Sequence, residues 1–251
     1  MTGTTAEPLL RASGVRKRFG GLVAVDGVDL HVDRGEIVGL IGPNGSGKST
    51  MLGCVSRDLP LDGGSIEFEG RSLDRLRASR AARRGIGRTF QNVRVFPELT
   101  VRENALLARD WTTVPALGLL RGPEAATRER VAELLETTEM TRLARTPAGN
   151  LSGGQKRLLE LVMALVARPR LVLLDEAASG VNPTLVQKLR QYVLTMREQE
   201  RVAFLVVEHN VDFIFGLADR IVVMETGTVL AEGTPAEIRE NQEVVDAYLG
   251  A

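Results

Sequence analysis

Three short segments of the chain, residues 37–41, 171–174 and 204–207, are apolar at almost every position. A β-strand has such a sequence when both of its faces are buried, as in a parallel sheet covered by helices. A loop and then a helical pattern follow each segment. The pattern therefore predicts an α/β core.

Other segments alternate between apolar and polar residues, which is typical of half-exposed antiparallel strands. Residues 23–32 and 64–70 have this pattern and predict an antiparallel β-region. Near the C-terminus, apolar residues at 221–224 and 228–230 flank a short polar segment that contains Gly227. These residues predict a β-hairpin.

Between residues 100 and 167 the sequence has helical patterns and no convincing strand. Thr100 and Glu103 have the spacing of a capping box, which begins a helix, and residues 124–138 predict a second helix. The conformation of residues 111–122, which contain proline and glycine, is left open. We predict a single domain in which residues from about 93 to 167 form a helical subdomain, inserted between core and antiparallel β-regions at 1–92 and 168–251.

The composition is that of an ordinary globular protein of 251 residues, with 43% hydrophobic and 25% charged residues. Basic and acidic residues number 32 each, so no excess positive charge favours nucleic acid as a partner. The single cysteine, Cys54, excludes an internal disulfide. No apolar stretch approaches the ~20 residues that cross a bilayer, and the N-terminus lacks the pattern of a signal peptide. We expect a soluble, intracellular chain.

Residues 42–49 match the phosphate-binding pattern G-x-x-x-x-G-K-S/T between a predicted strand and a predicted helix. In such a loop, glycines let backbone N–H groups surround the phosphates, Lys48 neutralises the β and γ charges, and the Ser49 hydroxyl binds Mg²⁺. The loop residues are Gly42, Pro43, Asn44, Gly45, Ser46, Gly47, Lys48 and Ser49, followed by Thr50. The sequence predicts a nucleotide site here.

Polar residues that suit phosphate chemistry follow the predicted strands. Asp175 and Glu176 end the second buried segment, and His209 follows the third. Because ligands of open α/β sheets collect at the carboxyl ends of strands, we expect Asp175 to hold Mg²⁺ and Glu176 to accept a proton from an attacking water. Gln91, which leaves another predicted strand, is a candidate metal or water ligand. The alternative is that the acids are solvated turn residues and His209 is a structural histidine.

A second glycine-containing helix start lies at residues 151–155, Leu-Ser-Gly-Gly-Gln. Ser152 and Gln155 have the spacing of a capping box, but this does not explain Gly153 and Gly154, which each weaken a helix by about 1 kcal/mol relative to alanine. Bare amides at a helix start favour the close approach of an anion such as phosphate. The sequence thus suggests two phosphate sites on one chain.

Together these segments resemble the ATP-binding subunits of ABC transporters over nearly the whole chain. Residues 42–49 are similar to the Walker A motif, 171–176 to Walker B, and 151–155 to the signature motif. Gln91 resembles the Q-loop glutamine and His209 the switch histidine. The position of Phe19 is similar to that of an aromatic residue that stacks on adenine in this family.

The resemblance implies a P-loop NTPase core with an antiparallel β-subdomain and an inserted α-helical subdomain. It implies that Lys48, Gln91, Glu176 and His209 are catalytic and that Ser49, Gln91 and Asp175 hold Mg²⁺. It also implies that two ATPase subunits pack head to tail, so that the second helix start serves the partner's nucleotide. Around each ATP, the Walker A residues and Phe19 of one subunit would face a set from the other: Ser152, Gly153, Gly154 and Gln155.

Further partners follow from the same resemblance. Such ATPases act with two membrane-spanning permease subunits and, indirectly, an extracytoplasmic solute-binding protein. The chain would then lie at the cytoplasmic face of the cell membrane and would bind no nucleic acid. By resemblance we favour a sister ATPase over a second copy of this chain as the dimer partner.

Residues 85–92, 95–101, 180–183 and 244–250 are similar to the larger ATPase of branched-chain amino-acid importers. Urea or short-chain amide importers are an alternative, and a non-transport ABC ATPase or a subunit that binds ATP without hydrolysing it are others. Two residues depart from the wider pattern. Ala177 stands where a proline usually follows the glutamate, and Asn182 replaces a common aspartate. We expect Ala177 to loosen the backbone behind Glu176.

Two surface features have competing interpretations. An apolar cluster follows Gln91 and either contacts a permease or packs beneath the helical subdomain. A basic series nearby is interpreted as a solvated helix face near Asp74 rather than a nucleic-acid site. The cluster is Val93, Val95, Phe96, Pro97 and Leu99, and the basic series is Arg75, Arg77, Arg80, Arg83, Arg84 and Arg88.

Overall fold

A computed structural model of the chain describes residues 7–90, 93–109 and 124–249. Its strands form a six-stranded and a four-stranded sheet. The strands are β1 (Leu10–Phe19), β2 (Leu22–Val32), β3 (Ile37–Ile41), β4 (Gly63–Phe68), β5 (Arg71–Ser72), β6 (Ile86–Arg88), β7 (Leu171–Asp175), β8 (Ala203–Val207), β9 (Arg220–Glu225) and β10 (Thr228–Gly233).

The six-stranded sheet has the order β10-β9-β3-β8-β7-β6, and its strands are parallel except for the edge strand β10. The three apolar segments are its neighbouring strands β3, β8 and β7, as predicted. Leu171 and Leu173 of β7 pack into one apolar cluster, whereas Val172 and Leu174 pack into another on the opposite face. Burial on both faces explains why these strands are apolar at every position.

The four-stranded sheet is antiparallel and has the order β2-β1-β4-β5. The predicted antiparallel region and the C-terminal hairpin of β9 and β10 are therefore present. The sequence pattern predicted no strand before β2. The structure has one there, β1, which pairs with both β2 and β4. The backbone N–H of Asp26 donates to the carbonyl of Gly227 at 2.8 Å and joins the two sheets.

Helices pack on both faces of the six-stranded sheet and fill the segment between β6 and β7. They are α1 (Lys48–Val55), α2 (Ala78–Arg83), α3 (Val101–Leu107), α4 (Ala125–Thr137), α5 (Gly153–Val166), α6 (Pro183–Glu200), α7 (Val211–Phe215), α8 (Pro235–Glu240) and α9 (Gln242–Val244). The buried residues of α1 share the apolar cluster of the four-stranded sheet, whereas those of α5 and α6 belong to the cluster on the opposite face. Short 3-10 turns at Thr141–Leu143 and Ala148–Asn150 precede α5, and a π-helical turn spans Val245–Leu249. None of these helices is long and apolar enough to cross a bilayer.

The region from 93 to 109 and from 124 to 167 contains helices and turns, with one isolated bridge between Thr100 and Pro147. The capping box of Thr100 and Glu103 begins α3, as predicted. Side chains of this region, such as Leu134, share an apolar cluster with strand residues such as Ile37. The division of the chain at about 93 and 167 stays a prediction, and residues 111–122 lie outside the described ranges.

Candidate active site

The loop between β3 and α1 has two positions that only glycine can occupy. Gly42 and Gly47 have φ angles of 144° and 100°, in the region that favours glycine. A Cβ at Gly42 would lie 2.0 Å from the carbonyl oxygen of Met224, and one at Gly47 would lie 2.2 Å from that of Ala24. No side chain caps the start of α1 at Gly47. The first amides of α1 are thus available to an anion.

The ammonium group of Lys48 lies inside this loop. Nζ donates to the carbonyl oxygens of Gly42 and Pro43, each at 2.8 Å, and to Oγ of Ser46 at 3.3 Å. Burial lowers the pKa of Lys48, while the carboxylates of Glu176 and Asp175 act in the opposite direction. A buried cation inside a glycine-rich loop is suited to bind the negative charges of a polyphosphate.

A cavity of about 380 Å³ joins most of the predicted site residues. The turn between β1 and β2 forms one wall, the loop and the start of α1 form the floor, and two strand-end side chains form the far wall. The lining residues are Phe19, Leu22, Val23, Ala24, Asn44, Gly45, Gly47, Lys48, Ser49, Thr50, Glu176 and His209. The apolar residues 22–24 were not predicted, since their place in the site depends on the pairing of β1 with β2.

Phe19 presents a partly exposed aromatic ring to this cavity. The residue is 47% exposed, and the Nζ of Lys17 lies 5.4 Å from the ring centroid. An exposed ring beside a phosphate loop offers a stacking surface for a planar base.

Asp175 ends β7 and is buried. Its Oδ2 accepts from Nη2 of Arg88 at 3.1 Å, and its backbone N–H donates to Oγ1 of Thr89 at 3.3 Å. Its Oδ1 is buried and has no hydrogen-bond partner. A buried carboxylate oxygen without a partner is unfavourable, so Oδ1 fits a cation ligand.

The described residues contain no cluster of three or more histidine, cysteine, aspartate or glutamate side chains suited to a metal. Mg²⁺ keeps several waters and takes one or two carboxylates together with substrate phosphates. Asp175 and the exposed hydroxyl residue Ser49 suit that donor set. Gln91, the third predicted ligand, lies outside the described residues.

Glu176 and His209 meet at the ends of neighbouring strands. Nε2 of His209 lies 3.0 Å from Oε1 of Glu176. Glu176 has a φ angle of 51°, which is uncommon for a residue other than glycine and is typical of functional positions. The pair therefore forms the acid–base end of the cavity.

The second glycine-containing helix start has the predicted capping box. Ser152 N–H donates to Oε1 of Gln155 at 2.9 Å, and Gln155 N–H donates to Oγ of Ser152 at 3.3 Å. A Cβ at Gly154 would lie 2.0 Å from Cδ2 of Leu185, so packing against α6 explains this glycine. A Cβ at Gly153 would meet open space. Close approach of an anion to bare amides is therefore needed to explain only the glycine at position 153.

Ser152 and Gln155 line a different cavity, of about 390 Å³, which shares no residue with the cavity at Lys48. Its other walls come from α6 and from the turn after α4, including Asn182 and Met140. Within the described residues, the two glycine-containing helix starts thus belong to separate cavities.

The flanks of Gln91 are held by α5. Nη1 of Arg157 donates to the carbonyl oxygen of Phe90 at 2.7 Å. Oε1 of the buried Glu160 accepts from the N–H groups of Phe90 at 3.2 Å and Arg94 at 3.3 Å, and burial raises the pKa of Glu160. Sequence reasoning missed both side chains, although a lone acid within an apolar helical run is a usable signal.

The basic series is only partly the solvated face that we expected. Arg75, Arg77, Arg80 and Arg83 are exposed. Arg88 instead lies in β6, where Nη1 donates to Oγ of Ser56 and Oδ2 of Asp58, each at 2.7 Å, and Nη2 donates to Asp175. The interpretation was wrong for Arg88 because sheet pairing places β6 beside β7.

The apolar cluster after Gln91 agrees partly with each of the two interpretations, since one of its side chains is exposed and another is packed. Phe96 is 55% exposed, whereas Val95 packs against the core. Buried Asn104 holds this loop, since its Oδ1 accepts from Phe96 N–H at 2.8 Å and its Nδ2 donates to the carbonyl of Leu99 at 3.1 Å. The loop thus presents an exposed aromatic ring on a fixed backbone.

Comparison with known families gives two matches along the chain. Residues 25–179 match the family model described as "ABC transporter". Residues 228–251 match the model described as "Branched-chain amino acid ATP-binding cassette transporter". These two matches include the Lys48 loop, the second helix start and the last strand, β10.

Two curated relatives align over almost their whole length. The chain is 40% identical over 252 residues to the high-affinity branched-chain amino acid transport ATP-binding protein BraF of Pseudomonas aeruginosa, which covers 98% of this chain and 99% of the relative. It is 39% identical over 252 residues to the corresponding protein LivG of Escherichia coli, with the same coverage of 98% and 99%.

Two solved structures have the same fold. A nucleotide-free ATP-binding cassette from an ABC transporter matches with a TM-score of 0.86 and 31% identity, covering 98% of this chain and 100% of that one. A dimeric ATP-binding cassette in a post-hydrolysis state, bound to ADP and Pi, matches with a TM-score of 0.76 and 26% identity, covering 90% and 98%.

Proposed function

Because the chain belongs to the ABC transporter family, we propose that it is the ATP-binding and ATP-hydrolysing subunit of an importer of branched-chain amino acids. One observation carries the proposal. A single cavity gathers Phe19, the Lys48 loop, Glu176 and His209, which come from four separate parts of the chain. Its walls supply an aromatic surface, bare amides, a cation and an acid–base pair.

ATP would bind with its adenine on Phe19 and its phosphates in the loop of residues 42–49. The positive φ angles of Gly42, Gly45 and Gly47 direct backbone amides toward the phosphates. Lys48 would exchange its carbonyl partners for the β- and γ-phosphate oxygens, which are stronger acceptors because they are charged.

Ser49 and Oδ1 of Asp175 would hold Mg²⁺, together with Gln91. When bound, this ion neutralises charge on the β- and γ-phosphate oxygens. Arg88 binds Oδ2 of Asp175 at 3.1 Å, and the buried Oδ1, which has no hydrogen-bond partner, would be the oxygen that binds the ion.

Hydrolysis requires a water molecule to attack the γ-phosphorus. The Glu176 carboxylate would accept the proton of this water as the new P–O bond forms, and the bond to the β–γ bridging oxygen would break to release ADP and phosphate. His209, 3.0 Å from Glu176, would orient the carboxylate and donate a hydrogen bond to the γ-phosphate.

The second helix start would act on the nucleotide of a partner ATPase. This explains why Ser152 and Gly153 are exposed and lie in a cavity separate from that of Lys48. The dimeric, ADP-bound relative supports the assembly of two such cassettes. ATP would join the two subunits, and its hydrolysis would release them.

Coupling to transport would pass through the loop after Gln91. The exposed ring of Phe96, on a backbone held by Asn104, offers an apolar contact for one of two permease subunits. Through these subunits the chain would lie at the cytoplasmic face of the membrane and serve an extracytoplasmic solute-binding protein.

Reconstitution tests this function. The chain is purified with its permease and partner ATPase and placed in liposomes with ATP inside. With the solute-binding protein added outside, the liposomes are assayed for uptake of leucine, isoleucine and valine. We expect ATP-dependent uptake that is lost with Lys48→Ala. Uptake of urea or short amides without branched-chain amino acids would overturn the assignment of substrate, and ATP-independent uptake would overturn the function.

A further inference from the structure

Glu208 is a buried acid that the proposed mechanism leaves unused. It lies between β8 and His209 and is only 1% exposed. Burial raises the pKa of Glu208 to about 7, although backbone hydrogen bonds from Ala178, His209 and Asn210 favour its charged form. A glutamate is rarely placed in such a position without a specific task.

The contacts of Glu208 join two loops of the active site. Its Oε1 accepts the backbone N–H of Ala178 at 2.6 Å. Glu208 itself directly precedes His209 in the loop after β8. Ala178 is two residues beyond Glu176, so this hydrogen bond joins the loop of the proposed base to the loop of its histidine partner.

The backbone at Glu176 needs such support. Its φ angle of 51° is unfavourable for a residue with a Cβ, and such strain persists only where the surroundings hold it. The N–H of Glu176 donates to the carbonyl of Val207 at 2.9 Å, which holds the residue from its N-terminal side. On its C-terminal side the next residue is Ala177, which has no ring to restrain φ. On that side the N–H of Ser179 donates to the carbonyl of Glu176 at 3.2 Å, and the N–H of Ala178, which lies between these two residues, donates to Glu208.

We propose that Glu208 is a positioning residue: by accepting the N–H of Ala178, it holds Glu176 in the left-handed conformation that sets its carboxylate 3.0 Å from His209. This inference rests on the proposed function, in which Glu176 takes the proton from water. Glu208 itself contacts no nucleotide in this account. It therefore affects the rate of hydrolysis and leaves ATP binding unchanged.

Two substitutions with side chains of nearly the same size distinguish the effect of the hydrogen bond from the effect of packing. Glu208→Gln keeps an Oε1 acceptor, and Glu208→Met fills the same space without one. In the assembled transporter we expect Glu208→Met to lower kcat at least about tenfold and Glu208→Gln to lower it less than about threefold, since small displacements of a catalytic group cost large factors in rate. The KM for ATP should stay within about twofold in both.

Hydrogen exchange at the Ala178 amide, followed by mass spectrometry, gives a readout that does not depend on activity. We expect faster exchange in Glu208→Met than in the wild type, and little change in Glu208→Gln. Glu36 provides a control at the N-terminal end of β3, away from the active site: its Oε2 also accepts a backbone N–H, that of Asp33 at 2.7 Å, and its Oε1 pairs with Arg220 at 2.8 Å. Glu36→Met should leave kcat and the exchange at Ala178 unaltered.

Two results would overturn the inference. One is wild-type kcat and Ala178 exchange in Glu208→Met. The other is an equal loss of kcat in Glu208→Met and Glu208→Gln with unaltered exchange, which would assign the effect to charge. If the wild-type assembly itself hydrolyses no ATP, the proposed function fails instead, while the exchange measurement still tests the contact.

Discussion

Two helices of this chain begin beside glycines, and their first turns are built differently. At α1 no side chain caps the helix, and the backbones of Met224 and Ala24 lie so close to Gly42 and Gly47 that no Cβ fits. At α5 a complete capping box satisfies two amides, and Gly153 faces open space.

The surroundings of the two helix starts differ as well. The loop before α1 shares its cavity with Lys48, Glu176 and His209, whereas Ser152 lines a cavity with none of these residues. A glycine-containing helix start is therefore not one kind of site. The first helix start shares one cavity with a buried cation and a Glu–His pair, and the second has an open face beside a separate cavity.

The largest effect should come from the chemistry of the first site. Glu176→Gln removes the proposed base and keeps the size of the side chain, so we expect kcat for ATP hydrolysis to fall by a factor on the order of 10²–10⁴. ATP affinity should change less than about twofold, and dimers should accumulate with ATP in size-exclusion chromatography. Turnover like that of the wild type would show that another group accepts the proton.

Lys48→Ala should act on binding. Hydrogen bonds to charged groups contribute roughly 1.5–3 kcal/mol each, so we expect ATP affinity to fall about 100-fold. Isothermal titration measures the affinity, and the melting temperature without nucleotide checks that the fold is retained. Unaltered affinity would show that the phosphates do not bind in this loop.

Much of the first site follows from local sequence, and the reason is physical. Strands β3, β7 and β8 are apolar because both faces are buried, and the loop before α1 has glycines where φ angles of 144° and 100° favour that residue. Two of the contacts that were missed act across the sheet. Arg88 contacts Asp175 because β6 pairs with β7, and Glu208 contacts Ala178 because β7 pairs with β8. No local pattern encodes the order of strands in a sheet.

The second helix start was only partly explained from sequence. The capping box is local, and Thr100 and Ser152 both have it as predicted. The reason for Gly154 is Leu185, a contact between two helices that lie far apart in the chain. Gln91, on which part of the metal site depends, lies outside the described residues.

The two glycines of α5 offer a matched pair. Gly154→Ala should destabilise the fold by about 1–3 kcal/mol, because its Cβ would overlap with Leu185. Any gain in helix propensity from alanine would reduce this loss. Gly153→Ala should leave the fold as stable or stabilise it by up to about 1 kcal/mol. Urea unfolding measures both, and equal effects would contradict the packing explanation.

The smallest effect should come from the aromatic wall of the first cavity. Phe19→Ala should weaken ATP binding by a factor of about 5 to 10, since stacking of a base on an aromatic side chain contributes roughly 1–3 kcal/mol. Phe19→Tyr keeps the ring and should bind within about twofold of the wild type. Equal affinity of Phe19→Ala and the wild type would place the base elsewhere.

Photolabelling can show whether the open face at Ser152 completes a nucleotide site on another molecule. Assemblies carrying Glu176→Gln are loaded with Mg²⁺ and an ATP analogue that bears a photoreactive group on its γ-phosphate, and tryptic peptides are then identified. We predict label on residues 146–156 in the dimer fraction and none on them in the monomer, while residues 35–48 are labelled in both. A closed, nucleotide-loaded dimer with label on residues 35–48 and none on 146–156 would contradict the account.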